Sequence, residues 1–250
     1  MNTREVIVVT GASRGIGAAT ARMAAARGYA VCVNYRQDAV AANGVVEDIV
    51  AEGGRALAVR ADVADERDVV ALFEHVDATL GVPSALVNNA GVLHVQRRVE
   101  DMDAARIARV LAVNVIGAFL CAREAVRRMS THRGGRGGAI VNVSSAASRL
   151  GSAGEYVDYA ASKGAVDSLT IGLSREVAAE GIRVNAMRPA FIHTDIHASG
   201  GEPGRVDRIK DSIPMRRGGQ PEEVANAILW LLSDEASYVT GTFVELAGGK

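Results

Sequence analysis

Aromatic residues are scarce in this sequence. They make up 4% of its 250 residues, with a single Trp. A surface that stacks nucleobases needs more rings than this. An excess of one charge is also missing. Lys and Arg number 28 against 29 Asp and Glu, for a formal net charge of -1. Nothing in that balance neutralises a phosphate backbone, so no nucleic-acid partner is expected. Cysteine is limited to Cys32 and Cys121, each inside an apolar run. That context predicts two buried, reduced thiols rather than a disulfide or a metal pair. Near the N-terminus the apolar run Val6–Val9 is too short for a signal peptide or a membrane helix, and it reads as a first strand. A cytoplasmic protein with no membrane partner is expected.

What the sequence does contain is a large apolar fraction, 48%, with 23% charged residues. This suits one α/β domain over residues 1–250. Short β-branched runs at Val6–Thr10, Ala30–Asn34, Ala56–Arg60, Ala85–Asn88, Ala139–Ser144, Arg183–Met187 and Thr242–Leu246 are apolar nearly throughout, as strands covered on both faces should be. Helical patterns alternate with them at Ile16–Arg27, Ala39–Ala51, Glu66–Leu80, Ala104–Met129, Tyr159–Glu180 and Pro221–Leu232. That order predicts an α/β fold, a doubly wound parallel sheet of seven strands with helices on both faces. The Gly/Arg segment 132–138 reads as a polar turn rather than a nucleic-acid tract. Asn142-Val143-Ser144 matches a glycosylation sequon, but it lies in an apolar strand and is discounted.

The segment Thr10-Gly11-Ala12-Ser13-Arg14-Gly15-Ile16-Gly17 joins the first strand to the first helix. Glycines there permit a tight turn, and a helix N-terminus offers free N–H groups to a pyrophosphate. Gly11-Ala12-Ser13-Arg14-Gly15 also matches the nucleophile elbow of a serine hydrolase, with Ser13 as nucleophile. That reading leaves almost no chain before the elbow to build a hydrolase sheet, and it does not explain Tyr159 and Lys163. Further motifs follow in order: Asn88-Asn89-Ala90-Gly91, Asn114, Ser144-Ser145 and Tyr159-Ala160-Ala161-Ser162-Lys163. Taken together they resemble the short-chain dehydrogenase/reductase family from Val6 to Gly249, most closely its ketoacyl-reductase and glucose-dehydrogenase-like members. The resemblance implies a single Rossmann-type domain, a homotetramer and hydride transfer between a nicotinamide and a small-molecule carbonyl or alcohol.

Tyr159 is the expected acid–base, because a phenol can give a proton to an alkoxide and a phenolate can take one back. Lys163 stands four positions on, so one helix face holds both, and a cation there is expected to lower the tyrosine pKa. In the family the equivalent lysine also binds the nicotinamide ribose. The alternative is a surface Tyr–Lys pair. Ser145 is expected to hold the substrate oxygen. It lies 14 positions before Tyr159, one more than the commonest family spacing, which implies a one-residue insertion within Gly151–Asp158. Tyr156 lacks a lysine four residues on. By resemblance, Asn114 interrupts its helix and holds a water that connects Lys163 with solvent; it could equally be a satisfied buried amide.

The second strand ends Val33-Asn34-Tyr35-Arg36, with no acid to meet a 2′-hydroxyl. Arg14 and Arg36 could instead fork a 2′-phosphate, so NADP(H) is expected over NAD(H). Asp38 is read as a helix N-cap. Asp62 and Val63 should frame the adenine. Asn89, Ala90 and Gly91 should line the inner ribose, beside Gly11, Ser13, Gly15, Ile16 and Gly17. Ile192 and Thr194 should meet the carboxamide. Where the family has Pro-Gly, this chain has Pro189-Ala190, and a left-handed backbone at Ala190 would carry a steric cost. Residues 195–219 read as a substrate lid. His193 and His197 are four apart, but no third ligand cluster accompanies them and no metal is expected. A non-catalytic NADP(H)-binding sensor is the remaining alternative, opposed by the intact Asn–Ser–Tyr–Lys set.

Overall fold

The computed structural model describes residues 5–250; residues 1–4 of the sequence lie outside it. Seven strands form one parallel sheet in the order β3-β2-β1-β4-β5-β6-β7. They are β1 Val6–Val9, β2 Ala30–Tyr35, β3 Arg55–Arg60, β4 Ala85–Asn88, β5 Gly138–Val143, β6 Ile182–Pro189 and β7 Phe243–Leu246. The helices are α1 Gly15–Ala26, α2 Ala39–Ala51, α3 Glu66–Thr79, α4 Ala104–Leu111, α5 Gly117–Met129, α6 Ala147–Leu150, α7 Val157–Val177, α8 Ile196–Ser199, α9 Arg205–Ile209 and α10 Pro221–Leu232.

The period of two along each strand divides the core into two layers. Ile7 and Val9 of β1 face one cluster with Ala18, Ala21, Val45, Ile49, Val224 and Ile228, which come from α1, α2 and α10. Val6 and Val8 face the other, with Leu72, Phe73, Cys121, Met129 and Val177 from α3, α5 and α7. Both faces are therefore dry, which explains why strand residues of either parity had to be apolar. Cys32 and Cys121 are free and fully buried. Burial pushes both thiols up, that of Cys121 to about 12.

Helix ends follow their local chemistry. Asp38, Asp65 and Asp103 each accept a backbone N–H in the first turn of α2, α3 and α4, as N-cap carboxylates do. The apolar stretch Ala104–Met129 does not form one continuous α-helix: residues Ala112–Ile116 form a π-helical turn between α4 and α5. By length and hydropathy alone this stretch could cross a bilayer. In the fold it is the crossover between β4 and β5, which are parallel sheet neighbours, so both its ends are tied to one sheet. Its outer side carries exposed Ile107, Leu111, Ile116 and Phe119.

The strand order reverses direction between β1 and β4. A crevice opens at such a switch point, beyond the carboxyl ends of the strands. The loops that leave β1, β4, β5 and β6 converge there.

Candidate active site

The loop after β1 is shaped by glycine where no other residue fits. Gly11 and Gly15 have φ of 61° and 55°, in the left-handed region that side chains disfavour. A Cβ at Gly17 would lie 2.6 Å from both the Gly11 carbonyl oxygen and Asn89 Nδ2. Three polar side chains fix this loop. Thr10 Oγ1 accepts the N–H groups of Asn89 and Ala90 at 3.0 Å each. Asn89 Nδ2 donates to the carbonyls of Thr10 and Gly11 at 2.8 and 2.9 Å. Asn34 Oδ1 accepts the Gly11 N–H at 3.2 Å, while its Nδ2 reaches the Ala61 carbonyl at 3.2 Å. Buried amides fully engaged in this way rigidify the backbone they hold.

One cleft of about 1020 Å³ runs from this loop to the segment after β6. The expected residues Gly11, Ser13, Arg14, Gly15, Ile16, Arg36, Asp62, Val63, Asn89, Ala90, Gly91, Ser145, Tyr159, Lys163, Ile192 and Thr194 all line it. Gly17 packs beneath the loop instead, and Asn114 is buried behind Gly91. A dinucleotide fits the cradle, since a Cβ on Gly11 would approach the Ala90 Cα to 2.9 Å and narrow the cleft floor. Arg36 is not free to act alone. Its Nε lies 3.1 Å from Asp62 Oδ2, and Arg109 meets the same carboxylate at 3.1 Å.

Tyr159 and Lys163 both lie in the first turns of α7. Lys163 Nζ is 5.5 Å from the Tyr159 ring centre and donates to the Val143 carbonyl at 2.7 Å. Burial lowers its pKa to about 8, with the Asp167 carboxylate opposing. The expected depression of Tyr159 by this lysine is not found. Burial raises the phenol above its ordinary value, and only the hydrogen bond with Ser145 pulls it down. The desolvation that strips Lys163 of its water acts on Tyr159 as well, and it outweighs a cation whose Nζ is engaged elsewhere.

The two serines diverge. Ser145 Oγ accepts the Ala147 N–H at 3.1 Å and donates to the Pro189 carbonyl at 3.4 Å, and its hydroxyl is the group that favours the Tyr159 phenolate. Ser144 Oγ donates to Asp167 Oδ1 at 2.6 Å, beneath α7. Asp167 in turn accepts Arg188 Nη2 at 2.9 Å and Nε at 3.2 Å. Between Ser145 and Tyr159 the chain makes α6 and then a turn in which Ser152 adopts φ 49°, within the segment expected to hold an inserted residue. Tyr156 is the N-cap of α7, and its hydroxyl donates to the Gly200 carbonyl at 3.2 Å.

Asn114 sits in the π-helical turn. Its Oδ1 accepts the Val92 N–H at 2.8 Å, and its Nδ2 donates to the Val92 carbonyl at 3.1 Å and to Ser162 Oγ at 3.0 Å. A Cβ on Gly91 would stand 3.5 Å from Asn114 Oδ1 and 3.6 Å from Lys163 Nζ, so the three residues adjoin. Ala190 does not take the left-handed backbone; among described residues only Ser152 and Arg216 do so without being glycine. The turn after β6 therefore forms without the strain considered for alanine.

Other residues frame the site in roles that the sequence did not assign to them. Arg106 forks Asp158 with Nε at 2.8 Å and Nη2 at 3.3 Å, and Asp158 accepts the Tyr159 N–H at 2.9 Å. Burial disfavours the Asp158 carboxylate, but the Arg106 hydrogen bond and the Tyr159 amide outweigh it and hold its pKa below the ordinary value. Asn88 and Asn142 pair across β4 and β5 at 3.0 Å, and Asn142 donates on to Thr170 at 2.9 Å. The asparagine of the discounted sequon is thus a buried strut.

This strand order and this cleft define a Rossmann-type scaffold, and comparison with known proteins gives its class. The family model described as enoyl-(acyl carrier protein) reductase matches residues 11–250. The uncharacterized oxidoreductase YgfF of Escherichia coli strain K12 is 64% identical over 245 residues, 98% of this chain and 99% of that protein. A 3-oxoacyl-[acyl-carrier-protein] reductase of Synechocystis is 40% identical over 252 residues, 99% of this chain and 97% of that protein. The crystal structure of a dehydrogenase/reductase from Sinorhizobium meliloti 1021 superposes with a TM-score of 0.90 at 33% identity, covering 98% of this chain and 94% of that one. The chain belongs to the short-chain dehydrogenase/reductase family and is an oxidoreductase of that family.

Proposed function

We propose that the protein is an NADP(H)-dependent reductase that converts a small-molecule carbonyl to a secondary alcohol, with Tyr159 as the acid–base. The observation that carries this reading is the convergence of Ser145, Tyr159 and Lys163 in the same cleft as the glycine loop. A nicotinamide dinucleotide, when bound, supplies the hydride. The chain supplies the rest. Gly11, Ser13, Arg14, Gly15 and Ile16 hold the pyrophosphate at the N-terminus of α1. Arg14 and Arg36 meet the 2′-phosphate; Asp62 and Val63 border the adenine; Asn89, Ala90 and Gly91 border the ribose; Ile192 and Thr194 border the carboxamide.

Ser145 Oγ–H holds the carbonyl oxygen, and Tyr159 Oη gives it a proton as negative charge develops. A phenol raised by burial stays protonated at neutral pH, which suits donation and therefore the reductive direction. Lys163 orients the ribose, and Asn114 supports it from the π-helical turn. Residues 195–219 close over the substrate as a lid on a single domain. The exposed apolar residues of α4 and α5 suit burial between copies of the chain in a cytoplasmic homotetramer.

The test is NADPH oxidation against a panel of ketones, sugars and acyl thioesters. Tyr159→Phe should lower turnover by roughly a hundredfold or more, as loss of a general acid does, and leave NADPH affinity unchanged. Activity within tenfold of wild type would overturn the assignment.

A further inference from the structure

Arg109 lines the cleft from the last turn of α4, and no role has yet been given to it. It belongs to a cluster built around Asp62, just past the end of β3. The turn into α3 fixes Asp62 in place. Its N–H donates to Asp68 Oδ2 at 2.8 Å, and its Oδ1 accepts the Ala64 N–H at 3.1 Å. Two guanidinium groups then meet on the other oxygen. Arg36 Nε lies 3.1 Å from Asp62 Oδ2, and Arg109 Nη2 lies 3.1 Å from the same atom. A carboxylate has lone pairs enough for both, but its single charge neutralises only one of the two cations.

The surplus charge matters for what Arg36 can do. The glycine loop, the ends of β2 and β3, and α4 bring Arg14, Arg36 and Arg109 to the cleft against Asp38 and Asp62. Asp38 is turned to the Ala41 N–H at 2.9 Å as the cap of α2. Without Arg109, cations and carboxylates would balance here, and Asp62 would face Arg36 alone. An incoming phosphate would then have to take Arg36 from a carboxylate left without a partner. With Arg109 in place, Asp62 stays neutralised when Arg36 turns away. The side chains of Arg36, Arg109 and Asp62 are 47%, 30% and 26% exposed, so water reaches all three and exchanging partners strands no buried charge.

We propose that Arg109 is a specificity-determining residue for the cofactor: by holding Asp62 it releases Arg36 to a 2′-phosphate. The inference rests on the NADP(H) reading above and deepens it, because Arg109 acts through Asp62 and Arg36 without touching the cofactor. Two properties follow. The effect of Arg109 is confined to the phosphorylated cofactor, since a 2′-hydroxyl carries no charge for Arg36 to meet. It also depends on the Asp62 charge, since an amide at that position has no hold on Arg36 that needs to be relieved.

The test is a double-mutant cycle read as equilibrium Kd values for NADPH and NADH, by fluorescence titration at constant ionic strength. Wild type, Arg109→Gln, Asp62→Asn and the double variant are measured side by side. Arg109→Gln should raise the Kd for NADPH by about two- to fivefold, the range that one exposed ion pair supports, and leave that for NADH unchanged. In the Asp62→Asn background, adding Arg109→Gln should change neither value. An NADPH to NADH ratio that Arg109→Gln does not move overturns the inference and leaves the NADP(H) reading standing. Equal weakening of both cofactors also overturns it, since that marks a loss of the adenine end as a whole. A selective loss of NADPH affinity that persists in Asp62→Asn overturns the route through Asp62 and shows that Arg109 meets the phosphate itself. A wild type without any preference for NADPH would instead overturn the NADP(H) reading, and the inference with it.

Discussion

The proposed preference for NADPH over NADH can be worked through from two guanidinium groups. An intact charge-assisted contact is worth about 1.5–3 kcal/mol. Arg36 cannot deliver that amount. Its side chain is 47% exposed and pairs with Asp62 at 3.1 Å, so meeting a 2′-phosphate exchanges one ionic contact for another. Screening and exchange together leave about 0.5–1 kcal/mol for an exposed group of this kind. Arg14, exposed at the N-cap of α1, contributes about the same on the same grounds. The sum of roughly 1–2 kcal/mol corresponds to a five- to thirtyfold lower Kd for NADPH. Fluorescence titration with both cofactors measures it directly. Arg14→Ala with Arg36→Ala should bring the two Kd values together by weakening NADPH alone. Asp62→Asn should widen the gap by releasing Arg36. Raising ionic strength should narrow it, because exposed pairs are screened. Equal affinities in wild type, or tighter NADH, would refute the reasoning.

Three further outcomes follow from the site. Ser145→Ala should lower kcat by about a hundredfold, the lower range for loss of one oxyanion donor, whereas Ser144→Ala should act mainly on thermal stability; steady-state kinetics and a melting curve separate them. Lys163→Met should abolish turnover yet raise Tm at pH 7, since the fall of the lysine pKa from 10.5 to about 8 reflects a folded-state penalty of about 3 kcal/mol. That penalty is complete below pH 8. Between pH 8 and 10.5 the unfolded chain binds the extra proton, so wild-type stability recovers as pH rises and the gain from Lys163→Met shrinks; a gain that grows with pH would contradict the assignment. Arg106→Ala should destabilise by about 3–5 kcal/mol in urea at pH 7, because it leaves the Asp158 charge buried without its partner. The depressed Asp158 pKa contributes stability above the unfolded carboxylate value, and that contribution disappears as pH falls through the folded value. The deficit of Arg106→Ala relative to wild type should therefore be smaller at pH 3 than at pH 7.

Much of the fold was legible because the sheet is covered on both sides. Runs such as Val6–Val9 and Ala30–Val33 are fully buried, so their composition announced strands without any need for alternation. The periodicity of residues 104–129 predicted one unbroken helix, and only the family resemblance implied an interruption at Asn114. The π-helical turn there is stabilised by Asn114 bonding the backbone of Val92, 22 positions away, and no local propensity encodes a partner at that distance. Ala190 raised a doubt at a position where the family has glycine, and the turn resolved it by not using a left-handed backbone. The direction of the Tyr159 shift was misjudged because spacing reports that two groups share a helix face, not how completely water is excluded around them.

The two ends of the cleft differ in how sequence can describe them, and the difference has a physical origin. At the glycine-loop end the working groups are main-chain atoms, and their placement depends on steric absence: nothing but glycine fits at positions 11 and 17. A motif records absence well, because any other residue would fail. At the far end the lining comes from the loops after β4 and β6, His94 and His197 among it, and these loops share no local pattern. His193 and His197 invited a metal reading only because they are four apart in sequence. In the fold His197 Nε2 lies 3.0 Å from the Ile192 carbonyl oxygen instead. Catalytic chemistry common to many substrates is written into the first kind of position. The choice among substrates falls to the second, whose residues come together only in the fold. Substitutions at the second kind of position should therefore change the preference among carbonyl substrates more than they change the chemistry proposed for Ser145, Tyr159 and Lys163.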